Sequence, residues 1–456
     1  MNDQQIVEAL DRMKPLSLEE KSVLMRQYLN DERFCSAVRL ATDSAITFGV
    51  SNVKKVEADT GCTDDIIDHL EQLSNKAKGN ATKSQRDQLN KVASVNEYTF
   101  DLARRIVRKT LDCGIGEKRL YEIAPRIIPY YPYMRCSGID KLDRVLESGE
   151  AYSQLKDNGL YLDVLVDVER WLIRYRTRNG NLLKMKLPCE KEILVHAVCS
   201  GTFMGEATLL FPDRDQTMPR AAGNAIVTQS IYEPMPENIA ERIRINLWDF
   251  VPADDYRAMI CYTPYEERVA MVDEFICEAP DIVQRHFDLI ETRLVKNEQE
   301  VWEHFRSVKS RPVADGCEEL EGLVVKNPKA IWKDGTSSDQ AKVKDVKECE
   351  MVITGWTPGD PGSKYEGMIG SLRLESSCKS VVVNSSGMKD DLRKADPESL
   401  IGKIWGVKFT RVSSKKGSDV ASLENPRLTG PRPDKTTADD REYIENLRSI
   451  DRETIK

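Results

Sequence analysis

The spacing of apolar residues changes near residue 130, and this change limits what the chain can fold into more than any other feature of its sequence. Before it, apolar residues recur at the three- and four-residue spacing of an amphipathic helix. Ser17 and Glu20 form a capping-box pattern, which predicts the start of a helix. Helices are predicted over residues 17–29, 83–111 and 117–123, with a helix stop at 112–116. A stretch rich in proline and tyrosine, 127–133, ends this block, so we predict an all-α domain over residues 1–130.

After residue 130 the pattern becomes that of short strands between polar turns. Residues 160–166 and 171–177 predict a β-hairpin; further strands are predicted at 194–199, 207–211, 243–250 and 321–326, and helices at 266–279 and 298–308. This mixture predicts an α+β domain over residues 131–345. The last part predicts strands at 350–356, 369–375, 380–384 and 404–412 and a polar helix at 436–456. So many short strands favour a five-stranded OB-fold β-barrel over residues 346–456, which makes the chain a multidomain α+β protein.

Composition excludes several classes of protein. The 11 cysteines form no C-x-x-C pair, which argues against a disulfide framework and against a zinc ribbon, and the 4 histidines are too few for a histidine-rich metal centre. No apolar run is long enough to predict a membrane span, and the polar N-terminus has no secretory pattern, so we expect a cytoplasmic protein. The net charge of -8 excludes a protein that coats DNA through its overall field, but not one with a local basic surface.

A series of short polar fragments carries the chemistry. In chain order they are Gln154–Gly159 with Lys156 before a glycine turn, Arg178–Gly180, Glu206, Trp248–Asp249, Glu321–Lys326, Lys342 with Lys344, and Arg432–Lys435. Taken alone, each fragment is more often structural than functional: Trp248 lies in an apolar strand, and two lysines on one strand face are often simply solvated. Their joint order is what favours a functional interpretation.

In this order and spacing, the fragments resemble those of ATP-dependent DNA ligases of the covalent nucleotidyltransferase superfamily, and most of all the compact ligases of large tailed phages. Cys113–Gly114 and the stretch to Pro129 also resemble the end of the helical DNA-binding domain of such ligases, so the resemblance covers nearly the whole chain. It implies a DNA-binding domain, an adenylation domain and an OB-fold domain. It further implies sealing of nicks with a 5′-phosphate and a 3′-hydroxyl, through a lysyl-AMP intermediate and an adenylylated DNA 5′ end.

The resemblance assigns a role to each fragment. Lys156 would attack the α-phosphorus of ATP as a neutral amine, which the positive charges of Lys326 and Lys344 would favour. Trp248 would stack on adenine through its aromatic face. The metal, Mg²⁺ or Mn²⁺, would be bound by carboxylate oxygens of Glu321 and Glu206. The full set implied to bind the nucleotide is Gln154, Leu155, Arg178, Glu206, Trp248, Lys342, Lys344, Arg432 and Lys435.

Two residues depart from the lysine motif of the family, which usually reads Lys-x-Asp-Gly-x-Arg. Asn158 replaces the aspartate, keeping its shape and one acceptor but losing its charge, and Tyr161 stands where arginine is expected. Because the arginine of the family supports binding of the nick, the change at Tyr161 affects nick contacts more than adenylylation of the lysine. We predict that Asn158→Asp does not reduce sealing.

Nicked duplex DNA would be held by basic side chains on several domains, mostly through its backbone, so that binding is independent of sequence and sensitive to salt. The predicted contacts are Arg104, Arg105, Lys109, Lys118, Arg119, Arg411 and Lys415. An ordinary solvated basic face is an equally good interpretation of each cluster. Ligases of this family close around DNA as a ring, so we expect a monomer.

Two alternatives stay open. An RNA ligase or an mRNA-capping guanylyltransferase shares the lysine chemistry; the helical N-terminal block favours the DNA ligase, and a preference for GTP would identify the capping enzyme. A non-catalytic nucleic-acid clamp is suggested by Asn158 and Tyr161. Five retained residues argue against the clamp, because a protein without the chemistry has no physical need for them: Lys156, Glu321, Lys342, Lys344 and Arg432.

Overall fold

In the computed structural model of the protein, the described residues are 1–57, 64–76, 80–317, 320–344, 346–359, 364–414 and 418–447. The chain divides into two compact units. The first consists of Met1–Leu320 and Val325–Ala341, and the second of Glu321–Val324 and Lys342–Lys456. No helix within these described ranges is long and apolar enough to cross a membrane.

The first unit begins with helices. They are α1 (Asp3–Met13), α2 (Leu18–Tyr28), α3 (Glu32–Thr42), α4 (Ile66–Lys76), α5 (Lys83–Ala93), α6 (Glu97–Val107) and α7 (Glu117–Ile123). The predicted start of α2 is confirmed: the Ser17 side chain accepts a hydrogen bond from the Glu20 backbone, and the Glu20 side chain accepts one from the Ser17 backbone. Apolar side chains from these helices, such as Ile6 and Phe34, share one buried core.

Two sequence predictions in this unit are wrong. The predicted helix at 83–111 is divided into α5 and α6, because the Asn96 side chain accepts a hydrogen bond from the backbone of Thr99 and so caps a new helix. The segment predicted as a strand at 194–199 is not a strand: its first half lies in helix α9 (Glu190–His196). The Glu190 side chain accepts a hydrogen bond from the backbone of Leu187 at 3.0 Å where that helix begins, and its apolar residue Ile193 is buried.

The rest of the first unit is a mixture of helices and strands. Its helices are α8 (Leu142–Leu146), α9 (Glu190–His196), α10 (Arg220–Thr228), α11 (Glu237–Ala240), α12 (Ala253–Ala258), α13 (Tyr265–Glu278), α14 (Asp281–Gln284) and α15 (Glu298–Lys309). Its strands are β1 (Met134–Ser137), β2 (Ala151–Lys156), β3 (Leu160–Asp167), β4 (Leu172–Thr177), β5 (Leu182–Leu183), β6 (Gly201–Leu209), β7 (Ile243–Pro252), β8 (Ile260–Cys261), β9 (Phe287–Leu289) and β10 (Thr292–Val295). Strands β11 (Gly322–Lys326), β12 (Trp332–Lys333) and β13 (Gly335–Lys344) follow; β11 and β13 lead from one unit into the other.

Two sheets carry most of the predicted site residues. A six-stranded sheet has the order β5-β4-β3-β6-β7-β9, and a five-stranded sheet has the order β1-β13-β11-β2-β10. The predicted hairpin at 160–177 is confirmed, since β3 and β4 pair antiparallel with Leu162 opposite Thr177. On its other side β3 pairs antiparallel with β6, which brings Tyr161 opposite Glu206.

The second unit is rich in strands. They are β14 (Lys347–Pro358), β15 (Ile369–Glu375), β16 (Val382–Ser385), β17 (Ile404–Phe409), β18 (Val412–Ser414), β19 (Ala421–Leu423) and β20 (Arg427–Pro431), with helices α16 (Asp390–Arg393) and α17 (Arg441–Asn446). The main sheet has the order β16-β15-β14-β17-β20. No closed barrel is found among the described residues, although a single bridge joins Gly387, just after β16, to Arg427 at the start of β20. Both units together confirm the predicted multidomain α+β class.

Candidate active site

Lys156 lies at the end of β2, where the chain turns towards β3. The Gln154 side chain on the same strand is buried, and its Nε2 donates to Oγ1 of Thr292 on β10 at 3.0 Å. The turn then passes so close to β6 that a Cβ atom at Gly159 would lie 2.3 Å from the carbonyl oxygen of Ala207. Only glycine fits there, which explains why a glycine follows the lysine.

Glu206 on β6 is the carboxylate that faces this turn. Its Oε1 accepts a hydrogen bond from the backbone N–H of Gly159 at 3.1 Å. Burial raises the pKa of Glu206 to about 7; the charges of Lys156 and Arg178 and the Gly159 hydrogen bond oppose that rise, and the Asp157 charge adds to it. These interactions show that strands β2, β3, β4 and β6 bring Lys156, Arg178 and Glu206 into one electrostatic environment.

The two departures from the lysine motif have different surroundings. Asn158 lines a cleft of about 290 Å³ that is also bordered by Asp157, Asn246 and residues that follow α15. Asp157 accepts a hydrogen bond from the Asn246 side chain, and burial raises its pKa. Tyr161, in contrast, is buried and donates its hydroxyl proton to Oδ1 of Asp163 at 2.6 Å. Tyr161 is therefore a residue of the interior.

Trp248, Tyr265 and Lys326 form a second cluster. Lys326 is buried, its Nζ lies 3.2 Å from the Tyr265 hydroxyl, and the ammonium is 4.4 Å from the centre of the Tyr265 ring and 5.9 Å from that of Trp248. Tyr265 in turn donates to the backbone carbonyl of Trp248 at 2.8 Å. Burial lowers the pKa of Lys326 to about 8, although the Asp249 charge opposes this change.

Sequence reasoning did not find the role of Asp249 and Arg268 beside this cluster. The Arg268 guanidinium is fully buried and donates to both carboxylate oxygens of Asp249, at 2.7 and 3.0 Å. It also donates to the carbonyl of Ala330, so it ties α13 to β7 and to the segment after β11. In the sequence Arg268 follows two glutamates in a helix pattern, which resembles a solvated face. Nothing local indicated a buried ion pair.

The remaining predicted nucleotide contacts belong to the second unit. Glu321 and Lys344 form an ion pair, and Lys342 is exposed on the same strand as Lys344. Arg432 follows β20 and forms ion pairs with Glu350 and with Asp434, the latter at 2.8 Å. The hydrogen bond from Arg432 lowers the pKa of Asp434 to about 2. Lys435 lies three residues further on and is exposed.

The predicted DNA contacts on α6 and after it are engaged inside the protein. Arg104 donates to Asp101 at 2.6 Å. Arg105 is buried and forms ion pairs with Asp11 and Asp101, each at 2.7 Å, so the structure does not support a direct DNA contact by this residue. The Lys109 ammonium donates to the backbone carbonyls of residues 40 and 43, and burial lowers its pKa to about 8.

The other predicted DNA contacts are closer to solvent. Lys118 donates to Asp334 at 2.8 Å, Arg119 to Glu122 at 2.8 Å, and Arg411 to Glu424 at 2.7 Å. The pairs of Arg119 and Arg411 lie at the surface, from which a phosphate could take the cation at small cost. Lys118 instead pairs with the buried carboxylate of Asp334. Lys415 lies outside the described residues.

A metal centre built from protein groups alone is not present in the part of the chain that the structure describes, because no group of three or more His, Cys, Asp or Glu side chains could hold an ion there. Mg²⁺ at nucleotide sites is commonly bound by one or two carboxylates together with phosphate oxygens and water. Glu206, in the first unit, and Glu321, in the second, are carboxylates of the kind that such a site uses.

Comparison with known proteins shows similarity to DNA ligases of phages. No family model matches the chain. It is 24% identical over 328 residues to the DNA ligase of Enterobacteria phage T4 and, to the same extent, to that of phage T6. The match covers 64% of this chain and 63% of each ligase, so the chain spans less than two thirds of these relatives. The predicted resemblance to phage DNA ligases is thereby confirmed.

Solved structures extend the likeness to almost the whole chain. One described as "Pmar-Lig_PreS3" has a TM-score of 0.71 at 16% identity and covers 95% of this chain and 99% of its own. Another, "Pmar-Lig_Pre.", has a TM-score of 0.70 at 16% identity and covers 94% and 99%. At this identity the likeness establishes a shared fold.

Proposed function

We propose that this protein is an ATP-dependent DNA ligase, which seals 5′-phosphate/3′-hydroxyl nicks in duplex DNA with release of AMP and pyrophosphate. The observation that carries the proposal is that Lys156, Arg178 and Glu206 share one electrostatic environment, with Glu206 on β6 facing the turn after Lys156. The similarity to the phage T4 and T6 ligases supports it independently.

In the first step Lys156 would attack the α-phosphorus of ATP through its Nζ and form lysyl-AMP, with pyrophosphate as the leaving group. The Glu206 carboxylate would accept a hydrogen bond from a ribose hydroxyl, and Arg178 would contact the ribose and phosphate. Trp248 would stack on adenine, with Gln154 and Leu155 beside its edge. Phosphoryl transfer of this kind depends mainly on positioning and on stabilisation of charge, which a set of fixed side chains can supply.

Residues of the second unit would act on the phosphates. Lys342 and Lys344 would bind the α-phosphate, and Arg432 and Lys435 the β- and γ-phosphates, so that pyrophosphate leaves in line with the attack. Glu321 and Glu206 would bind Mg²⁺. When bound, the metal would neutralise phosphate charge and lower the pKa of the attacking DNA hydroxyl in the last step.

AMP would then pass from Lys156 to the 5′-phosphate at the nick, and the 3′-hydroxyl would displace it. Arg119 and Arg411 are the best supported DNA contacts of the predicted set, because both partners of their ion pairs are exposed. Lys118 would first have to leave the buried carboxylate of Asp334. We further propose that residues 1–130 bind DNA, residues 131–345 form the adenylation domain and residues 346–456 form the OB-fold domain, acting as a monomer in the cytoplasm. The bridge between Gly387 and Arg427 supports an almost closed barrel.

The test is a sealing assay with ATP, Mg²⁺ and a nicked duplex whose 5′-phosphate is labelled, resolved on a denaturing gel. The parent protein should seal the nick, and Lys156→Ala should form neither lysyl-AMP nor sealed product. Lys186→Ala, an exposed lysine outside the predicted site, is the matched control and should behave like the parent.

Each other outcome identifies an alternative. Adenylylated 5′ ends that accumulate without sealing would locate a defect in the last step. Sealing of RNA ends alone would favour an RNA ligase, and labelling of Lys156 by GTP but not ATP would favour a capping enzyme. Absence of any covalent nucleotide on the parent would contradict the ligase and favour the non-catalytic clamp.

A further inference from the structure

The turn that carries Arg178 is packed against the tyrosine-rich linker between the helical block and β1. Gly180 in this turn has φ +86°, and a Cβ atom there would lie 1.9 Å from the ring of Tyr131. The turn is therefore shaped to receive the aromatic ring, since only glycine has both this conformation and this space. On the outer side, the carbonyl of Asn179 accepts a hydrogen bond from Ser44 Oγ at 2.9 Å.

Two further tyrosine rings flank the guanidinium of Arg178. Its central carbon lies 4.6 Å from the centre of the Tyr133 ring and 5.6 Å from that of Tyr161. The two rings meet edge to face, with centres 4.8 Å apart and planes at 79°. We call these two rings the tyrosine seat. Both distances are within the range over which an aromatic face attracts a cation.

Both rings of the seat are themselves held in place. The Tyr133 backbone N–H donates to Asp334 at 3.0 Å, and its carbonyl accepts from Gly335 at 3.1 Å. Tyr161 is fixed by the hydrogen bond from its hydroxyl to Asp163. Asp163 in turn accepts from Arg176 at 2.7 Å. A seat that does not move removes side-chain freedom from Arg178 before any ligand arrives.

We propose that Tyr133 and Tyr161 are positioning residues that hold Arg178 in the conformation that binds the ribose and phosphate of ATP. This inference rests on the proposed function. The charge of Arg178 acts on Glu206, so the seat would hold this cation near the carboxylate to which the proposed function assigns the ribose. Tyr161 thus has a role of its own in this chain, in place of the arginine that the family has there.

The experiment measures lysyl-AMP formation as a function of ATP concentration, without DNA. Tyr133→Leu should raise the KM for ATP about fivefold, the worth of one well-placed cation–π contact, whereas Tyr133→Phe keeps the ring and should restore the parent value. In an Arg178→Ala background, Tyr133→Leu should cause no further rise. A merely structural role would lower the thermal midpoint, but it would not make the effect depend on Arg178.

An unchanged KM in Tyr133→Leu, or an equal rise in the Arg178→Ala background, would overturn the inference. If Tyr133→Leu does not fold, Arg178→Lys replaces it: lysine has no planar group to lie on the rings, so KM should again rise about fivefold, and an unchanged value overturns the inference. Absence of lysyl-AMP in the parent protein would instead overturn the proposed function.

Discussion

Replacing Glu206 by glutamine should make the protein more stable and, at the same time, a poorer enzyme. Burial raises the pKa of Glu206 from an ordinary value of 4.5 to about 7. The folded protein therefore holds this proton more tightly than the unfolded chain does, and the free energy of unfolding falls as the pH rises from about 4.5 to about 7. Glutamine has the shape of the protonated side chain and no charge to bury, so the variant should not show this loss.

The magnitude follows from the size of the shift. At pH 8.5 Glu206 is ionised in both the folded and the unfolded protein, so the full difference between its two pKa values counts. Ionised Glu206 then costs about 3 kcal/mol of stability. At pH 5.5, one unit above the ordinary pKa, the cost is only about 1 kcal/mol. The advantage of Glu206→Gln over the parent should therefore be about 2 kcal/mol larger at pH 8.5 than at pH 5.5.

Urea unfolding of both proteins at these two pH values measures the difference. Glu274→Gln, on the exposed side of α13, is the control and should show no such pH dependence. An advantage of Glu206→Gln that is the same at both pH values would refute the argument. Lysyl-AMP formation by Glu206→Gln should fall, because an amide is a weaker metal ligand than a carboxylate.

Three other substitutions test the surroundings of the lysine motif. Asp249→Asn should lower the free energy of unfolding by about 3–5 kcal/mol, because it leaves the buried Arg268 without its counter-ion; a loss below about 1 kcal/mol in urea unfolding would contradict this. The KM for ATP in lysyl-AMP formation should rise above about pH 8, because Lys326 loses the proton that would attract phosphate, and a rise of equal size in Lys326→Met would show that another group is responsible. Asn158→Asp should not reduce nick sealing on a denaturing gel, because it keeps the shape of the side chain at the edge of the cleft; a large loss of rate would show that the amide itself is needed.

The parts of the fold that the sequence predicted are those with long, regular patterns. The hairpin of β3 and β4 has residues typical of strands on both sides of a short turn, and α2 begins with a complete capping box. Interactions between residues near one another in the chain therefore determine both elements. The break between α5 and α6 depends on one asparagine cap within a continuous apolar pattern. The segment at 194–199 is a short apolar run, and such a run fits a strand or a buried helix equally well until its packing is known.

Only part of the candidate site could likewise be predicted from the sequence. Its lysine, arginine and glutamate were recognisable from motif order, but their surroundings were not. Tyr265 joins Lys326 to the Trp248 backbone, and the Asp249–Arg268 pair depends on α13 packing against β7. Such partnerships join positions far apart in the chain, and no spacing rule marks them. Arg105 shows the reverse error, because its basic charge predicted a surface contact although tertiary packing buries it.

The buried hydroxyl of Tyr161 limits which side chains could take its place. An arginine at this position would replace the Tyr161 hydroxyl at Oδ1 of Asp163, whose Oδ2 already accepts hydrogen bonds from Arg176 and Tyr256, so two arginines would share one buried carboxylate. A buried charge without a good partner is strongly destabilising. Any engineering of this position therefore has to redesign the neighbouring aromatic and charged side chains together.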